Sequence, residues 1–177
     1  NLSANARVLN LAMAHLSEEA LAKARVLALD EGLRTSILTN DFAGLEKLAA
    51  GFLEREKLGF LTVADKNGDV LLRAHALTQR GDSVLRDPEA EEAYRGGYLV
   101  TVAGRKPEGF SIRASAPIAS KGKVIGVLIA GFPLDNALVD NIKRITGLDA
   151  SILEGDAVVA TTLFNPDGRT RESGLRH

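Results

Sequence analysis

The stretch "FLTVADKNGDVLLRAH", residues 60 to 75, sets two runs of aliphatic and β-branched residues on either side of Lys66-Asn67-Gly68-Asp69. Asn-Gly between such runs is among the strongest short-range hairpin signals, because both central residues tolerate positive φ. The spacing predicts two antiparallel strands, about 60–65 and 69–75. Downstream, "YLVTVAG" (98–104), "FSIRASAPIA" (110–119) and "KVIGVLIAGF" (123–132) predict three more, the last two joined by the turn "SKGK". Five strands in antiparallel succession, with helices before and after, make an α+β sheet domain.

Upstream of the hairpin, residues 3–38 hold no proline and only Gly32 as an interruption. Leu9, Met13, Leu16, Ala20 and Leu27 recur at helical intervals, which predicts one long helix bent near Gly32. A second helix follows "TND", capped by Asn40 or Asp41, with Phe42, Leu45, Leu48 and Phe52 on its buried side. Residues 76–86 read as a polar loop. "DPEAEEAYRGG" then starts a short helix with Asp87 as N-cap and Pro88 at the first helical position. A last helix carries Leu134, Leu138, Ile142 and Ile145 on one face and stops at Gly147; a hairpin around Gly155-Asp156 and a frayed tail follow. The expected division is a helical segment 1–56, a core 57–147, and a hairpin and tail 148–177 that could open a second, smaller module.

Composition excludes several classes of function. Among 177 residues, 22 Lys+Arg against 23 Asp+Glu give no basic excess to hold a phosphate backbone, and 5% aromatics give no stacking platform, so nucleic acid is not an expected partner. The absence of cysteine removes thiolate nucleophiles, disulfides, c-type haem attachment and the usual structural zinc sites. A chain of this length buries its core without a bound ion, so no cofactor is expected. No uninterrupted apolar run reaches the roughly 18 to 20 residues that cross a bilayer. Neither a G-x-S-x-G elbow nor a Walker A or G-x-G-x-x-G loop occurs. The histidines at 15, 75 and 177 fall on a helix, a strand end and the terminus, without metal spacing. No catalytic activity is expected; an enzyme using His75 as base would need a partner acid or nucleophile that the sequence does not reveal.

The chemistry that stands out is positive charge inside strands. In "FSIRASAPI", Ser111, Arg113 and Ser115 share one face and Phe110, Ile112 and Ala114 the other. A guanidinium in mid-strand must reach water, a structural carboxylate or a bound anion, since an unpaired buried charge is too costly. Arg73 and His75, also two apart, point to one face of their own strand. If those faces meet, two arginines, an imidazole and small hydroxyls converge on one pocket suited to a carboxylate, which arginine holds through paired hydrogen bonds. The plain alternative for each arginine is a surface ion pair, and for His75 a solvated strand end.

The order of these pieces, from the long leading helix through "FLTVADKNGDVLLRAH", "RGDSV", "FSIRASAPI" and "GKVIGVLIAGFPLD", resembles the extracytoplasmic Cache, or PDC, sensor domains of bacterial chemoreceptors and sensor kinases, over roughly residues 5 to 160. The resemblance implies a PAS-like five-stranded antiparallel sheet with a long N-terminal helix and a small-molecule pocket between sheet and overlying loops. It implies a periplasmic ligand-binding sensor of an inner-membrane receptor, attached through flanking segments outside this chain, and a homodimer through the first helix. A methyl-accepting chemotaxis protein is the preferred output; a histidine kinase or diguanylate cyclase, or a cytoplasmic PAS or GAF-type cofactor-binding or dimerisation domain, are the alternatives.

Citrate and C4-dicarboxylate sensors of that family place a carboxylate-holding arginine where Arg113 falls in "SIRASAPI". Ser115 stands where citrate sensors have a lysine, and Ile129 where they have a pocket serine, which implies a smaller, less charged ligand such as acetate or a related short organic acid. Thr62 matches a ligand-lining threonine. The family's Arg-x-x-His departs here: counting from Gly68 selects Arg73 in the histidine's place, and matching the histidine selects His75, so both are retained. Tyr98, at the start of the third strand, adds a hydroxyl able to donate to an anion.

Overall fold

In the computed structural model, which describes residues 2–105 and 108–171, the leading helical segment is two helices and not one. α1 (Leu2–Ala28) ends ahead of Asp30, whose carboxylate accepts a hydrogen bond from the Leu33 N–H at 2.9 Å and caps α2 (Glu31–Leu38). The chain breaks at Asp30, before the expected bend at Gly32, because a capping carboxylate satisfies a donor that a new helix start would leave orphaned. Asp41 caps α3 (Phe42–Arg55) in the same way through Gly44 N–H. Leu45 and Phe52 are buried as expected, whereas Phe42, in the first turn, is half exposed.

The five strands form one sheet: β1 (Phe60–Asp65), β2 (Val70–Arg73), then α4 (Pro88–Tyr94), β3 (Leu99–Arg105), β4 (Gly109–Ser120) and β5 (Lys123–Pro133), in the spatial order β2-β1-β5-β4-β3. Tight turns make the pairings local. Asp65 Oδ1 accepts from Asn67 and Asp69 N–H across the first hairpin, and Lys121-Gly122, at φ 51° and 75°, join β4 to β5. β2 stops at Arg73, short of the expected 75. Leu61 N–H, which a longer strand would give to a backbone carbonyl, is accepted by His75 Nδ1 instead.

A register shift between Val63 and Ala64 has a consequence for the site. Thr62 pairs with Arg73 and Ala64 with Val70, so residues three apart on β2 lie on one face of the sheet, which strict alternation forbids. That face also carries Phe60, Thr62, Val127 and Ile129 and packs under Val84 and the Ala90 and Ala93 side of α4. The opposite face takes the other helices: Ile37 of α2 lies against Gly126, Lys23 of α1 over the Phe132 ring, and Arg25 over Tyr98.

The chain separates into two compact units. Leu16–Phe132 form the one just described; the other unites the first part of α1, up to His15, with the chain from Pro133 onward. In the second, α5 (Asn136–Thr146) is capped by Asp135 and stopped by left-handed Gly147. Val139 and Ile142 are its buried residues, and Ile145, expected on the same face, is exposed. β6 (Ser151–Glu154) and β7 (Ala157–Thr161) make the hairpin. Thr161 N–H donates to Asn136 Oδ1, which ties the hairpin to α5. Part of the tail expected to fray is held, since Arg171 pairs in bidentate fashion with Asp140 at 2.8 and 2.6 Å. The remainder, His177 included, lies outside the described residues.

Candidate functional site

Arg113 sits in the middle of β4, cross-strand from Thr101, with only 3% of its surface exposed. A guanidinium in that position has no water to turn to, and its partners come from the elements laid over the sheet. Nε donates to Glu89 Oε1 at 2.5 Å, Nη1 to Glu108 Oε2 at 2.9 Å, and Nη2 lies 3.6 Å from Asp87 Oδ2. Asp87 holds the N-cap position of α4 but makes no capping hydrogen bond with its side chain. Glu89, fully buried in the first turn of α4, also accepts from Thr101 Oγ1 at 3.2 Å.

Arg73 is buried to a similar degree. Its Nη1 and Nη2 clasp Asp82 at 2.6 and 2.8 Å, Nη1 also donates to the Gln79 carbonyl, and Nε lies 3.5 Å from Glu108 Oε1. Asp82 and Gln79 belong to the polar loop, so Arg73 fastens that loop over the sheet. The bidentate bond to Arg73 holds the Asp82 carboxyl below its ordinary range and raises the Arg73 guanidinium.

His75 completes the group. Nδ1 accepts from Leu61 N–H at 3.2 Å, so the proton of the neutral ring is on Nε2, which donates to Glu108 Oε1 at 3.1 Å. The one lone pair of that ring is already engaged, which leaves His75 without the basic nitrogen that the enzyme reading needs. Phe60 lies beneath both groups, its centroid 5.2 Å from the Arg113 guanidinium carbon and 5.7 Å from the His75 ring, edge to face.

Arg73, His75 and Arg113 therefore do converge, and the group at their centre is the chain's own Glu108, at the β3–β4 turn. Its side chain is 3% exposed. Burial would push its carboxyl up, but the hydrogen bond from His75 and the charge of Arg113 outweigh burial and hold it at about 2. Because the folded value lies below the ordinary 4.5, the ionised form stabilises the fold: this contribution is complete above about pH 4.5 and is lost as pH falls through about 2. The difference is worth on the order of 3 kcal/mol. Urea denaturation of the parent chain should thus lose stability more steeply between pH 4.5 and 2 than that of Glu108→Gln; superimposable pH profiles would show that Glu108 is not held as described.

The other expected residues divide. Thr62 and Ile129 are buried cross-strand neighbours in the row that contains Arg73. Thr62 Oγ1 and Arg73 Nε are buried without a hydrogen-bond partner among the described residues. Ser115, fully buried, lies on the Arg113 face and reaches only the Leu99 carbonyl, at 3.5 Å. Tyr98 is corrected: it is on the opposite face from Thr101 and Arg113, 44% exposed, with Arg25 of α1 stacked 4.5 Å from its ring centroid. A hollow lined by these cations is also corrected, because Glu108 fills the space between them. Hollows of about 490 and 290 Å³ beside the sheet are lined by other residues, the first by Phe42, Val70, Leu71, Arg80 and Gly81, and one of about 180 Å³ lies between α1 and the end of α3.

Sequence reasoning missed the four acids. Asp82, Asp87, Glu89 and Glu108 all stand in turns or at a helix start, where acids ordinarily face water. The signal available was Arg113 itself, since a mid-strand arginine requires a carboxylate and "DPE" and "PEG" supply the acids of the segments flanking β3.

An antiparallel five-stranded sheet with helices on one face and, on the other, a short helix and a loop pinned over buried cations is a PAS-like sensory module of the Cache type. The family described as the double sensory domain of two-component sensor kinase matches residues 1–171, and the chain belongs to it. That family comprises extracytoplasmic sensor domains of membrane receptors; among the described residues no helix is long and apolar enough to cross a membrane. No curated protein matches the chain. Among solved structures it is similar to the sensor domain of Escherichia coli DcuS, with 23% identity, 76% of this chain and 96% of that one covered, and a TM-score of 0.61. The Vibrio cholerae histidine kinase DctB sensor domain gives 12% identity, 92% and 65% coverage and a TM-score of 0.73. The Campylobacter jejuni chemoreceptor Tlp3 sensory domain with isoleucine bound gives 16%, 91% and 67%, and 0.63. At these identities the likeness is one of fold.

Proposed function

We propose that this sensory domain binds a small organic acid, in the class of acetate and other short monocarboxylates, at the cluster of Arg73, His75 and Arg113, with Thr62, Ser115 and Ile129 as its walls. The observation that carries the reading is the seat itself: donors from β2, the turn after it and β4 meet on one carboxylate at 2.9 to 3.5 Å. Tlp3 has been solved with isoleucine, L-valine and L-norvaline, each of which presents a carboxylate. Binding would bias a two-state equilibrium through the loop that Arg73 fastens, and a ligand acts only through its difference in affinity for the two states.

A methyl-accepting chemotaxis protein is one output for such a domain. A sensor histidine kinase is the second reading, favoured by the family's description. Assaying the receptor for methylation and for autophosphorylation in response to ligand decides between them. The unit from Pro133 onward is read as the start of a second sensory module, in line with a double sensory family. A homodimer through α1 is supported by Leu11 and Val26, apolar side chains left exposed along that helix.

Melting temperature followed against acetate, propionate, pyruvate, lactate, succinate and citrate tests the ligand class. Thr62→Val keeps the shape and removes a hydroxyl that has no hydrogen-bond partner among the described residues, so it should melt no lower than the parent, yet bind the effective acid about 2- to 10-fold more weakly. Tyr98→Phe should leave binding unchanged. A flat response to all six acids, in the parent chain and in Glu108→Ala alike, would overturn the proposal.

A further inference from the structure

We infer that Glu108 is a built-in competitor: its carboxylate sits where a bound acid's carboxylate belongs, and it sets the threshold and selectivity of the site. This rests on the reading of the cluster as a carboxylate seat. Glu108 Oε1 takes the His75 Nε2–H at 3.1 Å and faces Arg73 Nε at 3.5 Å, while Oε2 takes Arg113 Nη1–H at 2.9 Å. Those are the contacts through which a free carboxylate would be recognised, and they are engaged by a side chain from the β3–β4 turn.

The charge balance separates Glu108 from the other acids. Asp82 is clasped by both terminal nitrogens of Arg73, and Glu89 by Arg113 Nε together with Thr101. Each arginine thus keeps a carboxylate of its own if Glu108 leaves. Glu108 is the acid shared among all three donors, and among the described residues its side chain makes no second bond to the loop or to α4. An incoming monocarboxylate replaces it charge for charge, whereas adding an acid with Glu108 still in place would set two like charges in one seat.

A tethered group competes at an effective concentration in the millimolar range or above. An acid offering only the same carboxylate contacts therefore binds weakly to the parent chain. One that also reaches a polar atom Glu108 leaves unsatisfied gains an advantage. Thr62 Oγ1, buried without a hydrogen-bond partner among the described residues and carried on the cross-strand neighbour of Arg73, supplies that second contact. The seat then favours short acids with an additional acceptor, of the hydroxy- or keto-acid kind, over acetate.

Chemical rescue tests this with the chain as it stands. Glu108→Ala deletes the equivalent of an acetate; Glu108→Gln keeps the shape and removes the charge. Far-UV circular dichroism checks the fold of both, and acetate, propionate, lactate and pyruvate are titrated by calorimetry and melting temperature against sodium chloride of equal ionic strength. The expected result is saturable recovery of the Glu108→Ala melting temperature by propionate and acetate, and binding of at least one acid tightened by about tenfold or more over the parent, as follows when a seat occupied most of the time is vacated. Should Glu108→Ala prove unfolded without ligand, refolding by acetate and not by chloride is the same positive result, and tightening in Glu108→Gln stands by itself. If the parent binds an acid and neither variant binds it more tightly, the competitor role is overturned and the carboxylate seat stands. If parent and variants all ignore every acid, both are overturned.

Discussion

Arg113→Met is expected to cost about 3–5 kcal/mol, because it strands carboxylates in a place where water cannot reach them. Glu89 is fully buried and Glu108 nearly so, and Arg113 is the cation that both touch. Methionine fills much of the same volume and keeps contact with the Phe60 ring, so the loss reports on charge and not on a cavity. Urea denaturation at pH 7 gives the number. Adding Glu89→Gln to Arg113→Met should return a substantial part of it, since the second change removes the charge that the first one orphans. A loss under about 1 kcal/mol would mean that the ion pairs are solvated, as surface pairs are, and would remove the physical basis for a specialised site.

Gly131→Ala is expected to destabilise the sheet by about 3 kcal/mol or more, the upper end for a single methyl group. A Cβ at that position would stand 1.8 Å from the Ile112 carbonyl oxygen and 3.0 Å from Phe60 Cζ. The first neighbour is backbone of the adjacent strand, which cannot rotate away, so β4 and β5 would have to separate locally. The same close approach brings Arg113 over the ring of Phe60, which pairs with Gly131 across β1 and β5. Gly51→Ala is the contrast: in α3 a Cβ meets nothing within 4 Å, and the change should stabilise by about 0.5–1 kcal/mol. Thermal melts of the two variants against the parent settle both; equal and small effects would show that β4 and β5 do not approach as closely as described.

The strands and their turns were legible because the signals that make them are local. Gly68 in the first turn and Lys121-Gly122 in the second place positive φ where a hairpin needs it, and the apolar runs on either side have no competing period. The helix break was less legible. A carboxylate at Asp30 can cap a new helix or sit on the side of a continuing one, and that choice depends on whether Leu33 finds a core, where it is in fact fully buried. Alternation placed Arg113 and Ser115 on one face correctly, because β4 is regular there, and by the same rule Tyr98 falls on the other face from Thr101 once the β3–β4 register is known. On β2 the alternation holds only up to a bulge, and a bulge leaves no mark in composition.

The sequence by itself determined an antiparallel α+β sheet and the presence of positive charge within its strands, since hairpin turns, periodicity and the cost of burying an arginine are properties of residues and their near neighbours. Which acids meet those arginines was decided by tertiary structure alone. Glu108 is five positions from Arg113 but more than thirty from His75 and Arg73, and only the pairing of β3 with β4 and of β1 with β2 and β5 carries all of them to one point. A charge pairs with whatever the fold brings within a few ångströms in a place without water, and distance along the chain says nothing about that.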